Sequence, residues 1–276
     1  MGRRVTVIGF VLLALVASGF VLTYIPKARL NANMVTSQNN LRELALFGAH
    51  HAKPDPKRDA TKLPKAIPPG TIVVPDGPYF PPDDRLSWVV TLLPLMDQRK
   101  NPTVELLPRI DDRKPWTFEP NQQAGLTRLP GLLCPENTPE VPAGTPAVTC
   151  YVGIGGVGAD AASLPLGSPR SGAFRYDGPT PFDRVTDGLS QTLLFAESRT
   201  DVGPWLRGGT ATVRGLNDAP DAQPLIGGQF GGYFPVGVNV AMCDGGVRTF
   251  SVATSPQVLL GLATIAGKGT DPLPGE

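Results

Sequence analysis

The side chains that could carry chemistry are three cysteines, Cys134, Cys150 and Cys243, two adjacent histidines, His50 and His51, and the carboxylates Asp187 and Glu197. A Ser-His-Asp or Cys-His catalytic set would have to draw on one of the two histidines, and no nucleophile-elbow motif accompanies them. Neighbours on a helix point about 100° apart, so His50 and His51 do not form the i, i+4 pair that ligates one metal. Near a helix C-terminus their positive charge has a simple electrostatic reason to be there. The cysteines show no CxxC or Cys/His spacing suited to zinc. In an oxidising compartment Cys134 and Cys150 could close a disulfide around the turn-rich PENTPEVPAGTPAVT loop; three unrelated buried thiols are the alternative.

The run Gly153-Ile154-Gly155-Gly156-Val157-Gly158 satisfies GxGxxG after a strand-like Tyr151-Val152, but no amphipathic helix follows, since AASLPLGSP breaks at Pro165. A glycine-rich loop is the better account. Asp187-Gly188 followed by Ser190 suits a turn in which the aspartate caps nearby amides, and Glu197 closes QTLLFAE, where it could be half-buried. No EF-hand-like spacing supports calcium. Trp88, Trp116 and Trp205 lie beside prolines or apolar runs and read as core and loop anchors. No catalytic residue, metal site or cofactor is therefore expected.

Residues 5–25, VTVIGFVLLALVASGFVLTYI, follow Arg3-Arg4 and stop at Pro26-Lys27. At roughly 1.5 Å per residue the run matches a hydrocarbon core of about 30 Å. The arginines ahead of it predict a single-pass anchor with the N-terminus in the cytoplasm, so that the remainder lies in the periplasm or outside the cell. A cleaved secretory signal fits less well, because the run is long for an h-region and TYIPK lacks the small residues of a cleavage site. Beyond Pro26, Leu30, Met34, Leu41, Leu44, Ala45 and Gly48 recur at helical spacing, which extends one helix to about residue 53, kinked at Pro26 and exposing Arg42, Glu43 and the SQNN tract. Residues 1–53 thus form the anchor and helix, and residues 54–276 the head.

The 276 residues are 41% hydrophobic with a formal net charge of +1, enough for one substantial core and no field that predicts nucleic-acid binding. The 32 glycines and 31 prolines are scattered among branched aliphatics and tryptophans, which indicates a loop-rich β-containing head and not disorder. Residues 54–86 read as a connector broken by a short strand at Thr71 to Val74. Ser87 to Gln98 is a buried apolar run that fits strand or helix, with Pro94 marking a break or helix start. Val148 to Ile154, Gln191 to Glu197 and Val238 to Val252 are the strand candidates. In the last, Asp244-Gly245 marks a hairpin, either a type I′ turn or, because Gly246 follows, a longer turn with a bulge. Ser255-Pro256 starts a C-terminal helix ending near Gly267.

In this order, Asn39-Asn40-Leu41, Pro68-Pro69-Gly70, Ser87-Trp88 with Leu93-Pro94 and Gln98, Pro115-Trp116 with Asn121, Cys134-Pro135, Tyr151-Val152-Gly153, Thr186-Asp187-Gly188 with Ser190, Thr192 and Glu197, and Val238-Asn239-Val240 before Asp244-Gly245 form a pattern. It resembles the bacterial pseudopilin-like proteins catalogued as domain of unknown function 1559, with a prepilin-type N-terminus. The resemblance implies an α+β, pilin-like fold: a long N-terminal helix, membrane-spanning in its first half, packed on a mostly antiparallel sheet with long loops. Arg4-Val5-Thr6-Val7-Ile8-Gly9 stands where a prepilin presents Gly-Phe-Thr-Leu-Ile-Glu, so the cleavage motif is degenerate and the assembly glutamate is replaced by Gly9. The family's histidine ahead of the signature aspartate aligns with Phe234, and a role that needs imidazole there is closed to this chain. The expectation is a non-enzymatic inner-membrane envelope protein whose partners are the lipid bilayer and secretion or pilus-like assembly subunits. The alternative is a tethered solute- or ligand-binding module with a pocket near Trp116, Trp205 and Glu197.

Overall fold

A computed structural model describes residues 2–51, 66–96, 106–136, 140–225 and 229–267; the side chains of residues 2–21, 23, 47 and 49–51 are outside that description. The chain opens with α1, Gly2–His51, an unbroken 50-residue helix that carries Pro26 within it. Among the described residues no helix is long and apolar enough to cross a membrane, and most side chains of the expected span at residues 5–25 lie outside the description.

Among the described residues seven strands follow in two sheets. β1, Ala66–Ile67, and β3, Thr180–Pro181, form a small antiparallel pair. The main sheet joins β2, Tyr151–Val157, β4, Leu193–Glu197, β5, Val213–Leu216, β6, Val238–Met242, and β7, Val247–Phe250, in the order β5-β2-β4-β6-β7. Three of its pairings are antiparallel, while β2 and β5 run parallel. The short helices are α2, Trp88–Met96, α3, Glu119–Gly125, and α4, Pro256–Ala263. The fold is thus mixed α and β on a mostly antiparallel sheet.

Successive residues of a strand point to opposite faces, and here both faces are covered. One face, with Tyr151, Phe195, Val213 and Ala241, packs under α1 and α2 through Leu41, Leu44, Ala45, Trp88, Leu92 and Leu93. The Trp88 ring lies 4.8 Å from Phe195 and 5.9 Å from Phe174, centroid to centroid, at tilted angles suited to aromatic quadrupoles. The other face, with Val152, Ile154, Ala196, Val238 and Val240, packs under α4 through Leu259, Leu260 and Leu262.

Several local expectations are revised. Thr71 to Val74 forms no strand: Thr71 makes only an isolated bridge to Ser87. Within the run Ser87 to Gln98, Trp88–Met96 form helix α2, which buries Trp88, Val89, Val90, Leu92 and Leu93 and so is apolar nearly all round, the condition under which periodicity cannot separate helix from strand. The end of the run lies outside the described residues. The glycine-rich run is the body of β2 and not a loop, because a Cβ at Gly153 would lie 2.6 Å from the Phe174 ring. At the hairpin only Gly245 has positive φ, 88°, and the Gly245 amide donates to the Met242 carbonyl at 3.0 Å. A type I′ turn needs two positive φ values, so the bulged alternative is the one adopted. α4 stops at Ala263, where Thr264 turns extended, short of Gly267.

The helix and the head are also less separable than a boundary at residue 53 implies. Leu41, Leu44 and Ala45 are at most 1% exposed and belong to the head's core, while Leu30 and Met34 pack on a smaller cluster of Leu133, Cys134, Cys150, Tyr233 and Phe234.

Candidate functional site

Four polar residues of the main sheet lie in one row. Tyr151 of β2 pairs directly with Glu197 of β4, and Asn239 of β6 pairs with Thr249 of β7. The β4–β6 register, Ala196 with Val240, brings Glu197 beside Asn239, and their side chains share the face that carries α1. Four strands therefore contribute one polar residue each to a line across the sheet.

Helix α1 lies over this line and answers it with Ser37, Gln38 and Asn40. Ser37 Oγ donates to Glu197 Oε1 in a short contact and lies 2.8 Å from Tyr151 Oη. Gln38 Nε2 donates to Asn239 Oδ1 and to Thr249 Oγ1, each at 3.2 Å. Asn40 Nδ2 reaches the Leu133 carbonyl at 3.2 Å and Tyr151 Oη at 3.3 Å. On the sheet side the Asn239 amide and its Nδ2 donate to Glu197 Oε2 and Oε1, both at 3.0 Å, and Thr249 Oγ1 donates to Asn239 Oδ1 at 2.6 Å. Nearer the N-terminal end of the stripe, Asn33 Nδ2 donates to Glu136 Oε2 at 2.8 Å.

Ser37, Tyr151, Glu197 and Asn239 are all completely buried. Burial pushes the Glu197 carboxyl above its ordinary value, while hydrogen bonds from Ser37 and Asn239 pull the other way. Burial likewise raises Tyr151, whose phenol stays neutral. The cluster holds a carboxyl, a serine and a phenol in contact, yet solvent does not reach them, so no substrate has a path to this group. What the arrangement can do is fix the rotation and axial position of α1 on the sheet.

Beside it lie the thiols. Cys134, Cys150 and Cys243 are all buried thiols, the second of the two alternatives the sequence left open, with no Cys134–Cys150 disulfide. The loop between them is closed instead by backbone bonds, Cys150 N to Leu132 O and Ala147 N to Gly125 O, both 2.8 Å. Cys150 Sγ accepts a hydrogen bond from Tyr233 Oη at 3.1 Å. Burial, the largest cause, lifts Cys134 to about 12, so the thiolate that would attack a disulfide does not form at neutral pH. Phe234 is 5% exposed and packs in this cluster.

The other singled-out positions are spread through the head. Asn121 is fully buried and clamps a loop: its Oδ1 accepts from Asp111 N at 2.8 Å and its Nδ2 donates to the carbonyls of Asp111 and Pro115 at 3.0 and 2.9 Å. Trp116 is half-buried under the Arg207 guanidinium, 5.9 Å from the ring centre. Trp88 and Trp205 are fully buried, their indole N–H groups donating to Thr212 O at 3.0 Å and Thr127 O at 2.9 Å. Pro94 sits inside α2. Asp187 Oδ2 accepts from the distant Gly267 amide at 2.9 Å, tying the turn at Gly188, φ 97°, to the segment after α4. Asp244 Oδ1 accepts from Gly246 N at 2.8 Å inside the hairpin turn with Gly245. His50 and His51 lie outside the residues whose side chains are described.

A family model described as Protein of unknown function (DUF1559) matches residues 26–223. The chain belongs to this family. The DUF1559 match begins at Pro26, after the apolar run, and ends before β6, so Ser37, Tyr151 and Glu197 lie within it while Asn239 and Asp244-Gly245 lie beyond it. No curated protein and no solved structure matches the chain.

Of the three residues named for the alternative reading's pocket, Trp205 and Glu197 are interior residues without solvent contact. A surface hollow occurs instead between Ile72, Val73, Tyr79, Arg85 and Lys114. Among the described residues no group of three or more His, Cys, Asp or Glu is placed to hold a metal ion. Sequence reasoning missed the role of the SQNN tract. It read the tract as exposed, whereas Ser37 is buried, Gln38 and Asn40 are half-buried, and only Asn39 faces solvent. The signal was present in the spacing: Ser37 stands three residues after Met34 and four before Leu41, on the buried stripe itself.

Proposed function

We propose that this chain is a non-enzymatic, membrane-anchored envelope protein of pseudopilin-like architecture, in which α1 is both the anchor and the spine that carries the head. The observation that carries the reading is the division of one helix into two regimes. A 50-residue helix is about 75 Å long. Its stretch from Leu30 to Gly48 is seated on the sheet through apolar contacts and the polar row, whereas Leu22, Tyr24 and Ile25 are 74, 61 and 58% exposed. Those three end the uncharged run that begins at Val5. Exposed large apolar side chains continuous with such a run favour a lipid surround over water.

With Arg4 and Gly9 in place of the cleavage glycine and assembly glutamate, the N-terminus stays intact and the anchor is permanent. A glutamate in lipid would serve subunit pairing; Gly9 has nothing to pair. The role is structural, in secretion or surface assembly from the inner membrane, with the head outside the cytoplasm. Mass spectrometry of the N-terminus with and without a prepilin peptidase tests this: an intact chain in the membrane fraction is expected, and a mature chain starting at Val5 would overturn it.

The hollow beside Tyr79 and Lys114 favours a second reading, a tethered ligand-binding module. A thermal-shift screen of the full chain with sugars, peptides and divalent cations discriminates, since no shift at millimolar ligand removes it.

A further inference from the structure

The Glu197 carboxyl is enclosed by groups from several elements, and no Lys, Arg or His pairs with it among the described residues. Ser37 faces it from α1, Tyr151 from β2 and Asn239 from β6, with the thiols of Cys134 and Cys150 and the phenol of Tyr233 beyond them. Burial keeps Tyr151 and these three outer groups neutral, so Glu197 is the group in the cluster able to change charge.

The hydrogen bonds around it run in either direction. Ser37 Oγ stands between Glu197 Oε1 and Tyr151 Oη, and in the 2.8 Å contact between the two hydroxyls either can donate. With an ionised carboxylate, Tyr151 donates to Ser37 and Ser37 donates to Glu197. With a protonated carboxyl, Glu197 donates to Ser37, Ser37 to Tyr151, and Tyr151 to the Leu133 carbonyl, 3.4 Å away. Neither state leaves a donor stranded, so one proton can enter or leave by rotating two hydroxyls.

We propose that Glu197 is a protonation-set latch on α1: uptake of a proton reverses the Ser37–Tyr151 hydrogen bond and tightens the seat of the helix on the sheet. Ionised, the carboxyl is a buried charge with no cation to offset it, and only undocking α1 returns it to water; neutral, it has no such cost. The sign follows. Burial raises the docked-state value above the ordinary 4.5, so docking is fully strengthened below 4.5 and loses that increment as pH rises through the raised value. The latch depends on the docking geometry alone and holds whether or not α1 enters a membrane.

Hydrogen exchange of the α1 backbone from Ser37 to Gly48, in the full chain in detergent micelles and corrected for intrinsic rates, provides the test. Protection is expected to be about tenfold greater at about pH 5 than at about pH 8. Glu197→Gln, which has no ionisable proton, is expected to give a flat profile; its amide nitrogen can donate to Ser37 but not accept from Asn239 Nδ2, so the readout is the flatness and not the level. A wild-type profile without the acid-side gain, or the same gain in Glu197→Gln, overturns the proposal. If the variant does not fold, the carboxyl carbon resonance of Glu197 decides: a titration midpoint above 4.5 supports the latch, and one at or below it overturns it.

Discussion

At the scale of single residues, the carboxylates Asp187 and Glu197 tie together distant parts of the chain. Ser37→Ala removes a donor to a buried carboxyl and a partner of Tyr151 together. A loss of about 2–3 kcal/mol is expected in denaturant titration, because the charge-bearing acceptor remains behind, and a loss under about 0.5 kcal/mol would show that the serine is not seated there. Gly153→Ala directs a methyl group to within 2.6 Å of the Phe174 ring. Since that ring packs on Trp88 and Phe195, it cannot simply move aside, and a loss of about 1–3 kcal/mol is expected from the same titration. Glu197 was legible as a carboxylate worth inspecting because it closes an apolar strand. Its full burial was not, because the groups that satisfy it come from Ser37 and Asn239, far away in sequence.

At the scale of elements, periodicity located α1, three of the strands and the hairpin, since each repeats a pattern longer than a turn. It missed β5, where Arg214 and Gly215 interrupt the alternation and the strand is defined by its parallel neighbour β2. It also left α2 undecided for the reason that makes α2 stable, an apolar surface on every side. The seat of α1 combines apolar and polar contributions, and these can be separated. Leu44→Ala, at 1% exposure, is expected to cost about 2–5 kcal/mol by loosening the apolar seat of the helix while removing no member of the polar row. Calorimetry of Leu44→Ala, Ser37→Ala and the double variant checks this: additive losses would mean independent anchors, and a shortfall of at least about 0.5 kcal/mol is expected, because either change loosens the same helix.

At the scale of the whole molecule, three interior thiols set an alkaline limit. Unfolded, they ionise near 9.0; folded, Cys134 holds its proton to about 12 and Cys150 and Cys243 are also raised. Stability from this source is fully present below 9.0 and is lost as pH rises toward the folded values, so the melting temperature is expected to fall above about pH 9. The same thiols are expected to resist alkylation in the native protein and to react together on unfolding, which mass counting after iodoacetamide checks; modification of the folded protein would contradict their burial. The polar row has one more consequence, in the order of synthesis. Ser37 and Gln38 leave the ribosome early, but their partners Glu197, Asn239 and Thr249 lie 160, 201 and 211 residues away along the chain. At about 5–20 residues per second the apolar stripe of α1 waits roughly 10–40 s for the strands that cover it. For that interval the newborn chain displays its most adhesive surface without its lid, and whatever escorts it must hold that surface and then let it go.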